Sequence, residues 1–185
     1  MKLKDARHLI HTDMLRYAQE IGTTLSASKK ISFFFLPCVF SLILYRLSHY
    51  FFLNKHYLLS RLFYTINLML FGLDIAPSSR IGSHAYIPHP VGVILVGNTG
   101  NHCTFFTNAT IGGGVKEVDI GAGIGLPILG NYVTISSGAK VLGPIFIGDN
   151  VDIGALSLAI NDVPDNSVLI GIPGKVLKTK PPRSL

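Results

Sequence analysis

A six-residue beat of aliphatic residues runs through the second half of the chain, at Leu129, Ile135, Val141, Ile147 and Ile153, with Gly, Ala or Ser often following. An earlier stretch keeps it at Ile75, Ile81, Ile87 and Val93, so the period outlives an interruption between residues 94 and 128. A helix repeats every 3.6 residues and a strand every two, and a period of six fits neither. It fits a solenoid whose repeat is one short strand plus a turn, unable to bury its apolar residue without neighbours above and below. Three repeats make a triangular coil of about eighteen residues, and coils stack at the roughly 4.8 Å spacing of hydrogen-bonded strands. About five such coils fit between Ile75 and Ala159. Asn131, Gly138 and Asn150 suit turns that visit positive φ. The glycine-rich stretch Gly113–Leu126 breaks the beat and predicts a loop thrown out from a corner, where rigid scaffolds carry function.

The first third reads differently. Apolar residues at helical spacing predict a helix over residues 3–21 closed by Gly22, a second over 31–53 broken near Pro37, and a third over 57–71 ended by Gly72. Composition changes there, which divides the chain into a helical region at 1–72, a mainly β solenoid at 73–160 and a basic tail at 161–185. Residues 1–61 carry nine Lys or Arg against three Asp or Glu, while residues 62–185 carry seven of each, so the net charge of +6 belongs to the helical region. The cations are not interleaved into a nucleic-acid reading motif, and no nucleic-acid partner is expected. Cys38 and Cys103 lie far apart and form no CxxC pair, in keeping with free thiols in the cytoplasm. The apolar run Ile31–Tyr45 is shorter than the about twenty residues of a spanning helix and contains Pro37. Three readings stay open for it: burial against other helices or in an oligomer interface, peripheral contact with the inner face of a membrane, and a true transmembrane span. In the second, Lys29, Lys30, Arg46, Lys55 and Arg61 would meet anionic lipid heads.

The hexads, the segment Asp74–Gly82 (DIAPSSRIG), the unit Ile87-Pro-His89-Pro-Val-Gly92, the unit Ala109-Thr-Ile-Gly-Gly113 and the closing Gly171-Ile-Pro-Gly-Lys175-Val together resemble a serine-acetyltransferase-type hexapeptide acyltransferase. Thr12-Asp13-Met-Leu-Arg16-Tyr17 and Leu44-Tyr-Arg46-Leu-Ser-His49 resemble the helical portion that precedes the prism in such enzymes. The resemblance implies a left-handed parallel β-helix, a homotrimer or dimer of trimers, acetyl-CoA as donor and no metal. It implies His89 as the base that takes a proton from an acceptor hydroxyl, oriented by Asp74. Imidazole suits that task, since an alcohol is a poor nucleophile near neutral pH and histidine titrates there. Fifteen positions apart, the two would be neighbours on the prism surface. The resemblance also points to backbone donors for the developing oxyanion near Gly112 and Gly113. The pantetheine arm of CoA would lie along Gly138, Ala139, Gly154 and Ala155, and Lys175 would pair with nucleotide phosphates. His84 and His102 read as structural or exposed, and no ligand spacing makes a zinc site of them with His89.

Serine acetyltransferases carry an Asp just before the catalytic His and an Arg-His pair in the long loop. Here Pro88 precedes His89 and the loop ends Gly125-Leu126-Pro127. A buried zwitterion with nothing to pair its carboxylate loses several kcal/mol of binding. This favours a sugar or polysaccharide-precursor hydroxyl as acceptor, by analogy with related surface-polysaccharide enzymes. Serine O-acetylation is the alternative, and a non-catalytic, membrane-peripheral structural module is the third reading.

Overall fold

The computed structural model describes residues 1–183; Ser184 and Leu185, the end of the expected tail, lie outside the described residues. Four helices come first: α1 (Leu3–Glu20), α2 (Ala27–Phe34), α3 (Pro37–Leu53) and α4 (Tyr57–Phe71). Each boundary has a local cause. Ser26 caps α2 by accepting from the Lys29 N–H, Pro37 opens α3 where its missing N–H costs nothing, and Gly72 at φ 62° closes α4. α2 and α3 meet at 84°, and among the described residues no single helix is long and apolar enough to cross a membrane.

From Asp74 the chain visits three parallel sheets in rotation. The first holds β1 (Asp74–Ile75), β3 (Ile94–Leu95), β6 (Thr110–Gly112), β9 (Lys140–Leu142) and β12 (Leu158–Ala159). The second holds β2 (Arg80–Ile81), β4 (Asn98–Thr99), β7 (Ile128–Leu129) and β10 (Phe146–Ile147), extended by a bridge from Ile147 to Val163. The third holds β5 (Thr104–Phe105), β8 (Thr134–Ile135), β11 (Asp152–Ile153) and β13 (Ser167–Ile170). One residue per strand points into the core. Ile75, Leu95, Ile111, Val141 and Ala159 stack in one column, and Phe105, Ile135, Ile153 and Leu169 in another, all at most 4% exposed. Burying each such side chain contributes about 1.5–3 kcal/mol, which a lone coil could not collect.

The structure corrects the sequence reading in four places. The beat lapses over 112–128 only, not over 94–128: Thr99, Phe105 and Ile111 hold inward positions, and Thr99 escaped notice because it is polar. Val93 is buried but is not the strand position, since Ile75 pairs with Leu95. Asp74 to Ile94 takes twenty residues where Arg80 to Asn98 takes eighteen, and the two extra fall in Pro88–Gly92. Positive φ belongs to Tyr132 rather than Asn131, whose side chain instead accepts from the Asn101 N–H at 2.9 Å. The fourth change is at the end of the chain. β13 completes a fifth coil beyond residue 160, and β14 (Lys175–Thr179) folds back antiparallel upon it. The basic end is pinned there by an ion pair of 2.9 Å between Lys180 and Asp152.

A stack of coils leaves its first strand edges unpaired, and the helices supply the missing partners. Tyr45 donates to the Ser79 carbonyl at 2.8 Å and accepts from the Ile81 N–H at 3.2 Å, and His49 Nδ1 donates to the Pro77 carbonyl at 2.7 Å. Arg46 Nη1 and Nη2 donate to the Ile81 and Gly82 carbonyls at 2.5 and 2.7 Å. Its other N–H groups hold Asp13 of α1, which also accepts from the Ala85 N–H at 2.9 Å. Arg46 is 1% exposed, so it cannot be one of the lipid-facing cations that the sequence suggested. A charge that deep needs a carboxylate and carbonyls, not water.

Candidate active site

His89 sits in the two-residue expansion of the first coil, between Pro88 and Pro90, and is exposed. Prolines on either side limit the backbone and hold the ring outside the prism. It borders a cleft of about 460 Å³ lined by Pro37, Cys38, Leu70, Phe71, Pro90 and Val91. The cleft therefore joins the coil to the helical region, and its walls are apolar.

Asp74 approaches from the strand below. The Gly92 N–H donates to the Gly72 carbonyl at 3.0 Å and the Asp74 N–H to the Val93 carbonyl at 2.9 Å, so the segments bearing Asp74 and His89 run side by side. Among the described residues no hydrogen bond or ion pair joins the two side chains. The Asp74 carboxylate instead accepts from the Tyr64 hydroxyl of α4 at 2.9 Å. Burial first, and Asp74 second, push the Tyr64 phenol above its ordinary value, so it remains a donor. Tyr64 was not legible as a site residue, because nothing in helical spacing marks which tyrosine reaches a strand ten residues on.

The corner that carries His89, between the third and first sheets, recurs on every coil. Stacked along it are Gly138 and Ala139 two coils on, Gly154 and Ala155 three coils on, and the Gly171–Gly174 turn, where the Gly174 N–H donates to the Leu158 carbonyl at 2.7 Å. Lys175 follows that turn and is exposed. His89 and Lys175 are thus separated by four coil spacings, roughly 19 Å. The N–H groups of Gly138, Ala139 and Gly154 donate to the Thr107, Ser136 and Leu169 carbonyls, so they are spent inside the coil. Their small size still matters, since a Cβ on Gly154 would stand 2.8 Å from Ile170 Cγ2.

Gly112 and Gly113 lie on the other edge of the first sheet. Gly112 is buried in β6, and Gly113 opens onto a second cleft of about 630 Å³ with Gly114, Lys116, Leu142, Pro144 and Ile160. The loop that follows is shaped by Asp119, whose Oδ1 accepts from the Gly121 and Gly123 N–H groups at 2.7 and 3.0 Å. Those two donors hold its carboxyl below the usual range. One chain therefore places the two expected halves of the site on opposite edges. His84 and His102 belong to neither, stacking ring on ring at 4.2 Å on the third corner. Among the described residues no group of three or more His, Cys, Asp or Glu is placed to hold a metal ion.

No family model matches the chain. A serine acetyltransferase of Synechococcus elongatus is 36% identical over 140 residues, which is 74% of this chain and 55% of that protein. One of Bacillus subtilis is 38% identical over 136 residues, 72% of this chain and 60% of its own length. The chain is a serine acetyltransferase homologue. It spans little more than half the length of these relatives. The crystal structure of the Neisseria gonorrhoeae serine acetyltransferase matches the homologue over 98% of this chain and 69% of the other, with a TM-score of 0.84 at 23% identity. A serine acetyltransferase in complex with CoA matches over 95% of this chain and 71% of the other, with a TM-score of 0.80. The shared fold thus takes in the helices as well as the three sheets.

Proposed function

We propose that the protein is an acyl-CoA-dependent O-acetyltransferase with a left-handed coil, using His89 as general base. The observation that carries this is an exposed imidazole at the foot of a corner of small residues, in a chain homologous to serine acetyltransferases. The sugar acceptor favoured by the sequence yields first place to serine, because the relatives matched are serine acetyltransferases and one solved neighbour is a complex with serine. His89 takes the proton of the acceptor hydroxyl and returns it to the departing sulfur. Asp74, carried alongside, favours the imidazolium as it forms, while Tyr64 holds one of its oxygens.

An acyl thioester supplies the activated carbonyl, so no covalent enzyme intermediate is needed. The residues present fit a long narrow donor: the corner from His89 to Lys175 suits an extended pantetheine arm, and the Gly113 cleft is of a size that ligand pockets have. In our reading the Gly113 N–H faces the charge that develops on the carbonyl oxygen. Since Gly113 and His89 lie on opposite edges of one chain, a complete site needs a second copy, as in a trimer of prisms.

One observation favours a second reading. The lining of the cleft beside His89 includes no carboxylate, lysine or arginine, which suits an uncharged hydroxyl better than a zwitterion. Release of free thiol from acetyl-CoA, with L-serine and with a panel of sugars, separates the two. Serine-dependent release that falls 10²–10⁴-fold in His89→Ala is expected. Release with sugars alone would move the acceptor to the second reading, and equal rates in His89→Ala would remove the base.

A further inference from the structure

α1, α2 and α3 bury an apolar cluster that includes Met14, Phe33, Val39 and Ile43, but the last helix packs inside out. α4 turns Ser60 and Asn67 inward, both 2% exposed, while Leu58, Leu62, Met69 and Leu70 are 85%, 52%, 79% and 63% exposed. Ser48 of α3 donates its hydroxyl to the Ser60 carbonyl at 2.8 Å, and Asn67 Nδ2 donates to the Ser41 carbonyl at 3.1 Å. A water-facing helix shows the reverse, with apolar residues inward and polar residues outward. Small polar residues between helices and leucines outside are the arrangement of helices in apolar surroundings, where hydroxyls and amides join the pair. Leu58, Leu62 and Met69 share one helix face, opposite Ser60 and Asn67.

The apolar surface continues beyond α4. Phe34 of α2 and Phe71 of α4 both pack on Phe40, at 4.9 and 5.8 Å between ring centres. That contact brings the exposed Ile31, Phe34 and Phe35 beside the exposed end of α4, whose Leu70 and Phe71 also line the His89 cleft. From Ile21 to Leu73 the chain has no Asp or Glu at all. Its cations there include Lys30, Lys55 and Arg61, all exposed.

We propose that this surface seats the protein on an anionic lipid bilayer. The outer face of α4 and the corner between α2 and α3 enter the head-group layer, and Lys30, Lys55 and Arg61 pair with lipid phosphates. The His89 cleft then opens at the lipid surface. A second copy is the rival occupant, but a self-facing contact between patches charged only positively sets cation against cation, whereas lipid phosphates neutralise them. The seat rests on packing and charge, not on the acyl-transfer reading.

Flotation of the full chain with phosphatidylcholine vesicles, with and without about a quarter phosphatidylglycerol, tests it at about 50 mM and about 0.5 M salt. Flotation with the anionic vesicles is expected, weakening as salt rises. Lys30→Glu, Lys55→Glu and Arg61→Glu should each weaken it about fivefold or more. Leu62→Glu/Met69→Glu should abolish it while leaving the circular dichroism and the lipid-free mass by light scattering unchanged. A dye on Met69→Cys, the other two cysteines being buried, should report transfer to an apolar medium. Absence of flotation, flotation indifferent to Leu62→Glu/Met69→Glu, or a fall in lipid-free oligomeric mass in that variant would overturn the proposal, the last in favour of a second copy.

Discussion

Among the described residues Arg46 heads the largest fully buried side chains, and it is charged. Its position is explained by four oxygens, two of the Asp13 carboxylate and two carbonyls of the first coil, none of which has another coil to pair with. Burial holds the Asp13 carboxyl above the ordinary value even with this partner. Arg46→Met should therefore cost about 3–5 kcal/mol in urea unfolding, because it strands a carboxylate and two carbonyls together. The double variant Asp13→Leu/Arg46→Met should recover part of that loss, since no lone charge remains. A single-variant loss under about 1 kcal/mol would show that water reaches the site. The sequence placed Arg46 among surface cations because helical spacing tells which face a residue occupies and not what covers that face.

A column of left-handed residues runs up the corner between the second and third sheets: His84, His102, Tyr132, Asn150 and Asn166, with φ between 56° and 59°. Three rings stack along it, His84 on His102 at 4.2 Å and His102 on Tyr132 at 4.7 Å, and Arg183 covers Tyr132 at 4.4 Å. Burial lowers both imidazoles, and His84 lowers His102 further, because two protonated rings would face each other. A folded value below 6.5 means that the unfolded chain binds the protons more readily. The stability these rings contribute is present above that value and is lost as pH falls through it. The melting temperature should therefore drop from about pH 7.5 to about pH 5. His102→Asn, tolerated at positive φ, should flatten the drop, and an unchanged slope would refute the stack as its cause. The sequence marked Asn150 as a turn residue but not the two histidines, because only stacked coils reveal which residues share a corner.

In the trimer we propose, the two edges of the first sheet would meet. If His89 of one copy works with Gly113 of its neighbour, two dead variants should rescue each other. His89→Ala and Gly113→Pro, the latter removing the N–H, should each be inactive alone. Unfolded and refolded together in equal amounts, they should regain about one quarter of the wild-type rate, the share of sites that draw both intact halves. No recovery, with both variants folded and mixed, would place the whole site within one chain.

The six-residue period alone was enough to require stacked coils, since no other regular structure buries one residue in six. Its lapse into the loop at residues 113–126 and the change of composition near Gly72 were equally plain, because glycine and proline act locally. The candidate base and its carboxylate stood out through flanking residues that resemble a family. Hidden from any linear reading were the partners supplied across the fold: Tyr64 on Asp74, Asp13 on Arg46, and the apolar outer face of α4. Each depends on which surfaces the helices turn toward the first coil, and that choice minimises unpaired buried polar groups over the whole molecule.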